Sequence, residues 1–103
     1  MERTIKHLSE LPGRVNVRLA TREAAIRFQQ MAEDEGFTFR DGVKPTQRDC
    51  AEIMAINRDC TINFVGSVGA IAYGAGARRI GNERLIRVDF EKYVAGEEIY
   101  IEL

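Results

Sequence analysis

The sequence holds one histidine and two cysteines in 103 residues, carries almost no net charge and has no hydrophobic run long enough to cross a bilayer. Each shortage excludes a class of chemistry. A zinc site takes about four protein ligands at characteristic spacing, and His7, Cys50 and Cys60 are too few to make one. A Ser-His-Asp or Cys-His arrangement would rest wholly on His7, which falls in a lead-in arm over residues 1–12. No enzymatic activity, metal or cofactor is therefore expected. Fifteen basic residues stand against sixteen acidic ones, for a net charge of −1. That balance argues against general nucleic-acid binding, which needs many uncompensated cations, and leaves room only for a local basic patch. The opening MERTIKHLSELPGR has no hydrophobic signal region, so a cytoplasmic protein without a membrane partner is expected. Cys50 and Cys60 read as free buried thiols. Arg48 and Arg58, two residues from each, are the neighbours that would favour a reactive thiol.

What is present describes a single domain over residues 1–103. Arg14–Ala20 alternates Val15, Val17 and Leu19 with polar residues, the pattern of a half-buried strand. Thr21 is placed to cap a helix, and Ala24, Phe28, Met31 and Ala32 form its apolar stripe, with Gly36 as its stop. Phe37–Phe39 reads as a short strand with both aromatics on the core face, turning at Asp41-Gly42. Thr46 and Asp49 resemble a capping box, and Cys50, Ile53, Met54 and Asn57 follow at helical spacing, which predicts a short second helix. Strands are predicted at Thr61–Val65, Val68–Tyr73, Arg84–Val88 and Glu98–Leu103, with a helical turn within Asp89–Gly96. The expectation is an α+β fold: an antiparallel sheet of about five to six strands with one main and one short helix on one face.

The densest signal is Gly66–Gly81, GSVGAIAYGAGARRIG, with five of the nine glycines and the Arg78–Arg79 pair. It matches neither a P-loop nor a dinucleotide fingerprint, because its glycines lack the spacing and no lysine follows. One reading is structural, a hairpin and a flexible loop. The other is a loop that wraps a ligand, with Gly74 and Gly76 allowing close backbone approach, Tyr73 making a stacking or hydroxyl contact, and Arg78 and Arg79 meeting negative charge. Arg18 and Arg22, beside backbone amides at the start of the first helix, offer a second anion site near Thr21, against the plainer reading of a solvated Arg22. The run Glu33-Asp34-Glu35 reads as a solvated face.

Leu19-Ala-Thr-Arg-Glu-Ala-Ala25, Phe28, Glu35-Gly-Phe37 through Gly42, and Val88-Asp-Phe90 together resemble a recurring type of small phage protein. Here Arg22 stands at the first acidic place of the shared opening. The group includes Thoeris anti-defence sponges, which sequester cyclic nucleotide signals, and anti-CRISPR proteins, which bind Cas effectors. The resemblance implies a non-enzymatic phage anti-defence protein that sequesters a phosphate-bearing nucleotide. The alternative is a protein-binding inhibitor of a host defence protein, with Glu33–Glu35, Glu97, Glu98 and Glu102 mimicking phosphates. The closing segment EIYIEL, apolar on the face of Ile99, Ile101 and Leu103, suggests edge pairing between chains and hence a homo-oligomer.

Overall fold

Alternation along Arg14–Arg18 does what a period of two requires: Val15 and Val17 turn into the core while Arg14, Asn16 and Arg18 take the other face. This strand, β1, is central in a computed structural model that describes residues 3–102. The elements in chain order are α1 (Ile5–Ser9), β1, α2 (Arg22–Asp34), β2 (Thr38–Phe39), a 3-10 turn at Pro45–Gln47, β3 (Ile53–Ile56), β4 (Thr61–Phe64), α3 (Gly66–Gly74), β5 (Arg79–Ile80), β6 (Glu83–Asp89), α4 (Phe90–Val94) and β7 (Ile101–Glu102). The fold is α+β. Its sheet runs β2-β4-β3-β1-β6, with β5 pairing the start of β6 and β7 pairing its end.

The sheet is mixed where an antiparallel one was expected: β1 runs parallel to β6, and β2 parallel to β4. Neither partnership involves neighbours in sequence, so no hairpin signal marks it. Among the described residues the strands number seven, because β3 and the two-residue β5 join those expected while Val68–Tyr73 leaves them.

One face of the sheet carries the core. Val15, Val17, Met54, Ile56, Ile62, Ile86 and Val88 pack against Phe28 and Ala32 of α2, Ile5 and Leu8 of α1, and Phe90 and Tyr93 of α4. Phe28 and Phe90 meet edge to face at 5.4 Å. Burying such a side chain contributes about 1.5–3 kcal/mol. The expected cap and stop of α2 are both present: the Thr21 hydroxyl accepts from the Ala24 amide at 3.1 Å, and Gly36 leaves the helix at φ +85 while the Phe37 amide donates to Ala32 O. Phe37 and Phe39 are buried as their spacing predicts.

Three other expectations are corrected. The supposed lead-in arm contains α1, whose Ile5 and Leu8 are fully buried. Two α1 amides, from Ile5 and Lys6, donate to the Glu35 carboxylate at 2.8 Å each, so His7 sits on a fixed helix and stacks on Tyr93. The helix predicted over Cys50–Asn57 is a strand, β3, because Ile53-Met54-Ala55-Ile56 is buried on both sides. An apolar run covered on both faces looks the same to periodicity whether helical or extended. Thr46 caps nothing and donates its hydroxyl to Glu33 instead. The strand predicted over Val68–Tyr73 is α3, a helix that lies on the sheet face opposite the other three. Gly66, at φ +74, turns the chain out of β4, and a segment with no strand beside it satisfies its amides internally as a helix. The final strand is confined to Ile101–Glu102, and Leu103 lies outside the described residues. Among the described residues no helix is long and apolar enough to cross a membrane.

Candidate functional site

The second face of the sheet is polar. Asn63, Ala55, Asn16, Arg87 and Glu102 are successive register partners across β4, β3, β1, β6 and β7, so they form one row on that face. Arg18 and Asp89 occupy the next row. Helix α3 lies over this face and is anchored at its C-terminal end by Tyr73, whose hydroxyl donates to Val88 O at 3.1 Å. Apart from the outward Val68 and Ile71, the rest of α3 is small, and its glycines and alanines leave room on either side for two cavities. One, of about 450 Å³, is lined by Arg18, Ile53, Tyr73, Gly74, Arg87 and Glu102 among others. The other, of about 220 Å³, is lined by Arg14, Asn16, Arg40, Asn57, Asn63 and Phe64 among others.

Most charges on this face are accounted for. Arg18 bonds Asp89 at 3.3 Å and Glu102 at 3.0 Å, tying β1, β6 and β7 together. Burial pulls its pKa down, but the charge and hydrogen bond of Glu102 outweigh that and raise it overall. Burial, then Glu102, pushes the Tyr73 hydroxyl upward, so it stays a donor. Asn57 donates to Asn63 Oδ1 at 2.8 Å and to the Thr61 hydroxyl, and Asn63 donates to Phe64 O.

Two groups stand apart, and they are neighbours. Arg87 is only 7% exposed, yet among the described residues it makes no side-chain hydrogen bond and no ion pair. The Tyr73 ring lies 5.7 Å from its guanidinium carbon. That contact holds the cation in place without engaging its N–H donors. Beside it, Asn16 is 1% exposed and its Oδ1 accepts no hydrogen bond from the protein. Native interiors rarely leave an atom such as Asn16 Oδ1 unsatisfied, because each costs about 1–3 kcal/mol. A buried guanidinium without a carboxylate is suited to receive an anion, and a buried amide oxygen to receive a donor.

Of the residues singled out in the sequence, Arg18, Tyr73 and Gly74 line the larger cavity together. Gly76 passes close by: at φ +75 it admits no ordinary side chain, and a Cβ there would stand 3.9 Å from both terminal nitrogens of Arg87. Arg78 and Arg79 are not brought to this place. Both are exposed; Arg79 lies in the short β5–β6 hairpin opposite Arg84 and donates to Asn82 O. Arg22 is exposed in the first turn of α2, in a separate open depression of about 560 Å³ with Thr21 and Asp49. Glu33 and Glu35, read as solvated, are structural acceptors for Thr46 and for α1. Tyr73, buried against Arg87, is closed to base stacking. Sequence reasoning missed Arg87 and Asn16. The signal was a polar residue flanked on both sides by apolar ones, Asn16 between Val15 and Val17 and Arg87 between Ile86 and Val88, which reads as solvent-facing until both strands prove central.

The largest depression, about 740 Å³, gathers Arg3, His7, Arg27, Met31, Tyr93 and Tyr100 on the helical side. Arg3 there lies over both tyrosine rings and donates to Tyr93 O and Glu97 O at the end of α4, and the Tyr93 hydroxyl donates to Thr4 O. The polar sheet face is the better candidate because it holds, among the described residues, a buried polar atom without a partner, Asn16 Oδ1, and the nearly buried Arg87. Among the described residues no three His, Cys, Asp or Glu side chains are grouped as a metal site needs. Comparison with protein-family models, curated proteins and solved structures returns no match for the chain.

Proposed function

We propose that this chain is a non-catalytic binding protein that sequesters a small phosphate-bearing nucleotide on the polar face of its sheet, with the anion seated at Arg87. The observation that carries the reading is Arg87, 7% exposed and, among the described residues, without a side-chain hydrogen bond or ion pair. The cavity of about 450 Å³ into which it opens is of small-ligand size. Arg87 takes the anion role that the sequence suggests for Arg78 and Arg79. Arg18, neutralised by two carboxylates, shapes the wall. The resemblance to phage sponges supports a setting in which the nucleotide is a cyclic defence signal held in the host cytoplasm, by a homo-oligomer joined along the outer edge of β7.

The test is native mass spectrometry and calorimetry with a panel of cyclic and linear nucleotides on wild type and Arg87→Met. A bound nucleotide on wild type, with affinity reduced at least tenfold in a folded Arg87→Met, is the expected result. Equal binding by the variant overturns the site. Light scattering at micromolar concentration reads the oligomer, and a strictly monomeric mass removes that part of the reading.

A second reading, a protein-binding inhibitor of a defence effector, is favoured by the outward side of α3, where Val68 is 79% and Ile71 71% exposed. It predicts that wild type binds no nucleotide in the panel and co-elutes with a host protein. Co-elution should be lost in Val68→Ser with Ile71→Ser, and retention by that variant removes this reading.

A further inference from the structure

We infer that the smaller cavity beside α3, about 220 Å³, is a second binding site, distinct from the anion place at Arg87, and that it takes a base of the adenine type. Asn16 lines this cavity, whereas Arg87 lines the other. Asn16 is 1% exposed, and its Oδ1 accepts no hydrogen bond from the described residues. A carboxamide carries that acceptor and, in the same plane, an N–H donor. Its complement is a flat edge with the two in reverse order. Adenine has one: asparagine accepts from its exocyclic amine and donates to the adjoining ring nitrogen.

The remaining walls narrow the ligand further. Asn57 donates to Asn63 and Thr61, and Asn63 to the Phe64 carbonyl, so the open acceptor belongs to Asn16. No carboxylate is among the described lining residues, and the charges there are Arg14, paired with Glu83 at 3.2 Å, and Arg40. Two guanidinium groups at the wall disfavour an ammonium ligand and leave a neutral donor. Phe64 brings an aromatic ring to the same cavity, 45% exposed and stacked on Phe39 at 5.6 Å between centroids. A half-open ring backed by a second one suits a planar ligand, because every base has a face that stacks. The volume lies below the about 300–1,000 Å³ of ordinary ligand pockets, which suits one base rather than a whole nucleotide. A site built to hydrogen-bond a donor discriminates against analogues lacking it, since the buried acceptor is then left open.

The experiment measures binding by calorimetry and by the side-chain amide signal of Asn16 in NMR spectra, with two probes. N9-methyladenine carries the amine beside a ring nitrogen; N9-methylpurine lacks only that amine, so it has no donor and no added bulk. Wild type is expected to bind N9-methyladenine with a shift of the Asn16 signal, and to bind N9-methylpurine at least about tenfold more weakly. Asn16→Leu, near in size to Asn, should abolish that preference, and Arg87→Met should keep it. Should Asn16→Leu fail to fold, the two probes and the Asn16 signal of wild type decide the matter. Equal affinity for the probes, binding of neither, or an Asn16 signal that does not move overturns the inference. Loss of N9-methyladenine binding in a folded Arg87→Met also overturns it, because the base then sits in the other cavity. Wild type that retains N9-methyladenine but binds no nucleotide through Arg87 removes the anion reading and leaves this site standing.

Discussion

Arg87 and Asn16 are each ordinary residue types made unusual by their setting, and the simplest probe of that setting is to supply the missing partner from within the chain. Asn16→Asp sets a carboxylate on the neighbouring strand, at the register partner of Arg87. The expected result is a higher melting temperature together with loss of anion binding, read by calorimetry; retained binding would mean that the anion does not contact Arg87. The cysteines differ in the same residue-level way. Burial, then the charge of Asp49, pushes the Cys50 thiol up to about 11, while the Lys6 ammonium lies 3.8 Å from the Cys60 sulfur. Iodoacetamide at pH 8 should therefore modify Cys60 before Cys50, as peptide mass mapping would show. Neither contrast is legible along the chain. Arg48 and Arg58 flank the two cysteines symmetrically, and only the fold buries one thiol and brings a lysine to the other.

The elements hardest to read in the sequence are those whose own residues suit either state. The cap, stripe and stop of α2 lie within sixteen residues and are readable as they stand. The β3 and α3 segments each read as the opposite type, and for the same reason: their state depends on what lies beside them. Ile53–Ile56 is extended because β1 and β4 flank it. Val68–Tyr73 is helical where no strand flanks it, and Tyr73 is its buried anchor. Tyr73→Phe should cost about 1 kcal/mol and speed amide exchange in α3 above that in β1; uniform exchange would place the anchor elsewhere. Glu35 plays the same part for α1, whose first amides it receives. Replacing it by alanine should cost about 1.5–3 kcal/mol in urea titration, since hydrogen bonds to a charged acceptor are among the stronger ones. The candidate site was legible only as separate residues: Arg18 was read with Arg22 and Tyr73 and Gly74 with the Arg78–Arg79 pair, yet the three line one cavity, while Arg87 and Asn16 were hidden in strand patterns.

At the scale of the molecule, the surface acids act as fasteners more than as a charged face. Hydrogen bonds from the Thr46 side chain and backbone hold Glu33 below its ordinary value of 4.5, and Arg48 holds Asp41 below 3.8. Depressed carboxylate values contribute stability that is fully present above the ordinary values and is lost as pH falls through the lowered ones. Melting temperature should therefore decline as pH drops below about 4.5, and Glu33→Gln combined with Asp41→Asn should flatten that decline. An unchanged slope would assign acid sensitivity to other groups. The parallel pairing of β1 with β6 has a larger consequence. The pair joins Arg18 to Asp89 across 71 residues of chain, and the Asn16–Arg87 row exists only once that closure is made. Long-range parallel pairing is among the slowest steps a chain of this size takes. If the proposed ligand seats on that face, occupancy reports on completed folding: a ligand held on β6 beside β1 would bind no form in which the pair is open, and at a hundredfold excess over its dissociation constant would add about 2.7 kcal/mol to the stability of the finished one.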